Sequence, residues 1–269
     1  MIFRASGTVG FGLQRFQLEL QPRPTLVAQY YNFDAPTPYP STLVSSGDSV
    51  FTPSLSLTQP FSINFNYTEF KGRASWDKTI PQNDINDDSN GHGTHCAGTV
   101  SSRKYGVAKA VNLIAVKVLG SDGSGTMGDV VAGVLWAAEQ AANKLAAAKA
   151  EYAATWKTRH KGSVANMSLG GGMSQALNDA VNRAVSSGMH FAIAASNDNK
   201  DTCSYSPAAA EKAVTVGTLT LGGDRACFSN HGECVDVFAP GEYFHSAVSS
   251  KQAYPCHFRF QHPLDLDRN

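Results

Sequence analysis

The 269 residues carry 22 Lys and Arg against 22 Asp and Glu, so no net charge recommends a nucleic acid or an anionic membrane as partner. A hydrophobic share of 42% suffices for the core of one large α/β domain or two small ones. No run approaches the roughly 18 apolar residues of a membrane span, and Arg4 and Arg15 interrupt the N-terminal stretch, so no signal peptide is visible.

Residues 1–60 are rich in Pro, Ser and Thr, as in Ala35-Pro36-Thr37-Pro38-Tyr39-Pro40, and are expected to be irregular with no recognisable domain. Residues 61–241 alternate short apolar runs with helical patterns and glycine turns, which predicts an α/β fold with a mainly parallel sheet flanked by helices. Strands are expected at 111–119, 163–169, 189–195, 213–219 and 234–238, since near-continuous apolar runs suit strands buried on both faces. One helix starts at Thr126-Met127-Gly128-Asp129, a capping-box-like sequence, and continues through the alanine-rich, charged stretch 141–161 as an exposed extension. Another spans 174–187, with Leu177, Ala180, Val181, Ala184 and Val185 on one stripe, Ser174 as cap and Gly188 as stop. Residues 242–269 lack periodicity and read as a tail foreign to the domain.

Asn90-Gly91-His92-Gly93-Thr94-His95-Cys96-Ala97-Gly98-Thr99 sets a histidine between glycines at the start of a helix of small residues. G-H-G-T-H-C-A-G resembles the histidine motif of subtilases, the subtilisin-like serine endopeptidases. The cysteine four residues after the first histidine marks the proteinase K branch. The resemblance implies a three-layer fold, truncated here at both ends, and makes His92 the catalytic base. An imidazole titrates near neutrality, so it can take a proton from a serine and return it to a leaving amine. The alternation Asp84, Asn86, Asp88, Asn90 suggests a calcium loop, but Ser89 and His95 stand where such a loop needs glycine and glutamate.

By the same resemblance, Gly123-Ser124-Gly125 and Ser168-Leu169-Gly170-Gly171 are the two walls of a cleft for an extended peptide. Ala194-Ala195-Ser196-Asn197 resembles the family's A-A-G-N segment, which places Asn197 in the oxyanion hole. A donor there is worth about 3 kcal/mol of barrier. Ser196 stands where the family has glycine, and its side chain is expected to narrow the primary specificity pocket or to strain the turn. The five cysteines, Cys96, Cys203, Cys227, Cys234 and Cys256, show no C-x-x-C metal spacing. The resemblance pairs Cys203 with Cys234 and leaves Cys96 free. It also suggests a structural calcium ion on Asp236 and the carbonyls of Glu211 and Ala213, while the chemistry itself needs no cofactor.

Two family positions are filled by unsuitable residues. The aspartate of the D-[ST]-G turn falls on Pro60, followed by Phe61 and Ser62. After Ala239-Pro240-Gly241 no G-T-S motif follows, and Ser246, Ser249 and Ser250 lack its small-residue helix. Losing the acid alone lowers turnover by about ten-thousand-fold in a serine protease triad. The expectation is therefore a serine endopeptidase by family that is inactive as written, or a pseudoenzyme that binds peptides or inhibitors without cleaving them. The implied partners are a peptide or protein substrate and a propeptide or inhibitor, with the chain a monomer. The likeness of Lys71-Gly72-Arg73-Ala74-Ser75-Trp76 to cerevisin, a fungal vacuolar protease, implies a vacuolar or secreted location.

Overall fold

The computed structural model describes residues 54–59, 63–158, 160–242 and 246. Seven parallel strands form the main sheet: β1 (Ser54–Gln59), β2 (Ala74–Thr79), β3 (Asn112–Lys117), β4 (His160–Met167), β6 (Met189–Ala194), β8 (Val214–Leu219) and β9 (Val237–Pro240). Their order is β2-β3-β1-β4-β6-β8-β9. A two-stranded antiparallel ribbon joins β5 (Gly171–Gly172) to β7 (Tyr205–Ser206). Three helices complete the fold: α1 (His92–Ser101), α2 (Met127–Thr155) and α3 (Gln175–Ser186).

Strand β1 corrects the reading of residues 1–60 as irregular. Its backbone pairs with Asn112–Ala115 of β3 on one side and with His160–Ala165 of β4 on the other, an interior place in the sheet. The folded unit therefore reaches back at least to residue 54. Ser246, assigned above to a foreign tail, is buried against α1.

Alternation along the strands sorts side chains between two layers. On one face Val116, Ala165, Met167, Phe191 and Ile193 pack with Val130 and Val134 of α2 and Leu177 and Val181 of α3. On the other, Leu113 and Ala115 pack with Ala97 of α1, Ile63 and Phe70. Helix α2 approaches β3 so closely that a methyl group on Gly133 would lie 2.2 Å from a Val118 methyl. Both expected caps form. Thr126 accepts from the Asp129 amide and Ser174 from the Leu177 amide, each satisfying an amide with no partner inside its helix. The α2 extension is exposed towards its end, as its charge pattern predicts, and stops at Trp156 in a left-handed conformation.

On the α1 side, the described residues cover the half of the sheet from β4 to β9 less completely. A groove of about 160 Å³ lies there between Cys96, Thr99 and Val100 of α1 and Ser168, Ala194, Val216, Thr218 and Gly241 of the sheet.

Candidate functional site

His92 is the first residue of α1, and side-chain hydrogen bonds fix the segment before it. The buried carboxylate of Asp88 accepts from the amides of Gly91 at 2.9 Å and Thr94 at 2.8 Å, and also from the Thr94 hydroxyl. These bonds satisfy helix-start amides and place negative charge at the positive end of the helix. Gly91 turns the chain into α1 at φ 87°, a conformation that favours glycine. His92 is only 7% exposed, and burial, with a smaller contribution from His95, lowers its pKa to about 4. The imidazole is therefore neutral at ordinary pH, the form a base requires. Its Nδ1 lies 3.7 Å from Cys96 Sγ, and the buried thiol is pushed up to about 12, so it stays protonated. Cys96 and Ser168, the latter in the segment after β4, line the same groove between α1 and the sheet.

The proposed walls lie beyond the carboxyl ends of β3, β4 and β6, where parallel α/β sheets bind their ligands. Gly120–Ser124 forms a tight loop: Gly120 donates to the Ser124 carbonyl at 2.7 Å, and Ser124 donates to Asp122 through both amide and hydroxyl. Gly123 sits at φ 86°, and a methyl group on Gly125 would come within 2.5 Å of Leu119. Ser168 and Leu169 are buried, and Gly171 pairs with Ser206. Ala194 and Ala195 end β6 in the interior. Ser196 then adopts φ 77°, so the backbone there does take the left-handed turn that suits glycine. Its buried hydroxyl has no hydrogen-bond partner among the described residues, and a methyl group on Gly170 would lie 2.7 Å from it. Asn197 follows, with both polar atoms of its side-chain amide buried and without a partner among the described residues. The turn is held from behind by Asn230: its amide donates to the Ser196 carbonyl, and its side-chain oxygen accepts from Asp198 and Lys200.

Comparison with known proteins decides the lineage. The family model "Peptidase_S8: Subtilase family" matches residues 41–262. The chain belongs to the subtilase family. It is 64% identical over 178 residues to the subtilisin-like serine protease Pen c 2 of Penicillium citrinum, a match covering 66% of this chain and 38% of that protein. To alkaline protease 2 of Aspergillus fumigatus it is 59% identical over 180 residues, covering 66% and 35%. The chain thus matches little more than a third of the length of these relatives. Among solved structures, a cold-adapted subtilisin-like serine proteinase superposes with a TM-score of 0.63 at 41% identity, covering 74% of this chain and 67% of that one.

The subtilase match begins before and ends beyond the 61–241 boundaries read from the sequence. The acid position, Pro60 to Ser62, lies outside the described residues, directly after the carboxyl end of β1. Ser249, Ser250 and Cys256 lie outside them too. Ser246 donates its hydroxyl proton to the His95 carbonyl at 2.6 Å and accepts from Thr99 at 2.9 Å, so that proton is committed to the α1 backbone. A disulfide joins Cys203 and Cys234, and among the described cysteines Cys96 is buried and free and Cys227 exposed and free. Asp236 is exposed and accepts from the Thr215 amide at 2.8 Å. Among the described residues no group of three or more His, Cys, Asp or Glu side chains converges on a metal position. Sequence reasoning weighed Asp88 only as a calcium ligand and gave Asn230 no role. The helix-cap spacing from Asp88 to Gly91 was the available signal for the first. The second acts across 32 residues and leaves no local trace.

Proposed function

We propose that this chain is a serine-endopeptidase domain of the subtilase family whose cleft holds an extended peptide, and that as its sequence stands it binds without cutting. The observation that carries the reading is Asn197: a buried amide with neither polar atom partnered among the described residues, just after β6, is a donor held ready for a ligand oxygen. His92, neutral through burial, is the base that the subtilase resemblance assigns to the same cleft. Pro60 offers no carboxylate to orient that base or to stabilise its cation, and the hydroxyl of Ser246 is turned to a carbonyl rather than poised as a nucleophile. Retained walls with a deficient triad favour peptide or inhibitor binding over hydrolysis.

The proposal extends to a vacuolar or secreted protein acting as a monomer, with a propeptide or inhibitor as a second kind of partner. It includes a structural calcium ion. Asp236, anchored through one oxygen by Thr215, has a carboxylate of the type such an ion takes alongside the carbonyls of Glu211 and Ala213. The deciding experiment labels the folded protein with a fluorophosphonate probe beside an intact relative, and titrates it with an extended peptide by calorimetry. Peptide binding without labelling supports the reading. Specific labelling would establish an activated serine and overturn the claim that the chain does not cut.

A further inference from the structure

Lys117, the last residue of β3, is 1% exposed, yet its ammonium group is surrounded by oxygen. Nζ lies 2.8 Å from Ser121 Oγ, 3.1 Å from the Ile85 carbonyl, 3.3 Å from the Asp87 carbonyl and 3.1 Å from Asp84 Oδ1. These oxygens come from two separate segments. Asp84 completes the tie between them, accepting from both the amide and the hydroxyl of Ser121 at 2.9 and 2.6 Å and from the Ile85 amide at 2.7 Å. Burial works against its charge, but the hydrogen bonds from Ser121, Lys117 and Ile85 prevail and hold its carboxyl below the usual range.

Each segment leads directly into the cleft. Asp87 precedes Asp88, whose carboxylate caps α1 and so fixes where His92 begins the helix. Ser121 opens the loop that carries Gly123 and Gly125. We infer that Lys117 is a positioning residue: an internal cation in an oxygen cage that sets the placement of His92 relative to the 123–125 wall. A lysine serves here because a compact ammonium at the end of a strand reaches several carbonyls at once, and burial strengthens each contact while making an unfilled cage costly. The inference rests on reading His92 and the 123–125 loop as parts of one peptide cleft.

The test is Lys117→Ala, followed by NMR of the His92 ring nitrogens and of the Gly123 and Gly125 amides. Both sets of signals are expected to shift or broaden together. Propylammonium chloride, which supplies the atoms removed, is expected to return both, whereas sodium chloride at equal ionic strength does not. A variant that melts earlier with these signals unmoved, or one that sodium chloride restores equally, overturns the inference and leaves Lys117 a merely structural residue. If Lys117→Ala does not fold, Asp84→Asn decides: joint shifts at both places support the coupling, and unmoved signals refute it. Failure of the wild-type protein to bind peptide would remove the cleft reading while leaving the measured coupling in place.

Discussion

At Ser196 the backbone and the side chain are in conflict. A φ of 77° is costly for a residue with a Cβ, and the hydroxyl is buried against Gly170 without a partner among the described residues. Ser196→Gly relieves both penalties while adding the conformational entropy of glycine, for a net stabilisation of about 1 kcal/mol. Urea denaturation measures it. A lower midpoint in the variant would mean that the hydroxyl holds the turn together. Removing the side chain also opens the gap between the 194–197 segment and the Gly170 wall, so peptides with bulky side chains are expected to gain affinity relative to small ones. His92 makes a second statement at this scale. Its folded-state pKa is depressed from 6.5 to about 4, so between those values the unfolded chain binds a proton that the folded chain refuses. Stability through this group is complete above pH 6.5 and is lost as pH falls towards 4, by at most roughly 3 kcal/mol. His92→Gln is expected to flatten the slope of stability against pH in that window. An unchanged slope would mean that other groups carry the acid sensitivity.

The elements differ in how openly their sequences declare them. Helices α2 and α3 were legible because both signals are local: a capping Thr126 or Ser174, then apolar residues at helical spacing. Strands β3, β4, β6 and β8 were legible as apolar runs, although β4 begins at His160 rather than 163, within the polar turn after α2. Strand β9 spans Val237–Pro240 instead of 234–238, because Asp236 is occupied in bonding Thr215 before the ladder begins. Strands β1 and β2 were missed. Ser-Leu-Ser-Leu-Thr-Gln alternates over too few residues to stand out from a Pro- and Ser-rich background, and Ala-Ser-Trp-Asp-Lys-Thr reads as polar because β2 is an edge strand. Contiguous motifs made the local structure legible at His92, where α1 starts, and at Asn197, in the turn after β6. It was illegible where placement depends on partners distant in sequence, as with Lys117 on residues 84–87 or Asn230 on the 196–200 turn.

At the scale of the whole molecule, the described residues support the two halves of the sheet unequally. From β2 to β4 the sheet lies between α1 on one face and the α2 and α3 layer on the other, whereas from β4 to β9 the α1 side opens into the groove beside Cys96. The half from β4 to β9 carries the Asn197 turn, and cross-links between loops brace it. Residues 200–202 pair with His231 through two backbone bonds, and Cys203–Cys234 closes the same junction covalently across a separation of 31 residues. A loop of that length removes enough freedom from the unfolded chain to contribute about 3 to 4 kcal/mol. The bond clamps the segment beginning at Asn230 to the segment beginning at Ser196, so its loss is expected to act on the cleft as well as on global stability. Paired replacement of Cys203 and Cys234 by alanine, which leaves Cys96 and Cys227 untouched, is expected to lower the urea midpoint and weaken peptide binding together. A lowered midpoint with unchanged affinity would mean that Asn230 and its hydrogen bonds hold the turn without the cross-link, leaving the disulfide a constraint on the unfolded chain alone.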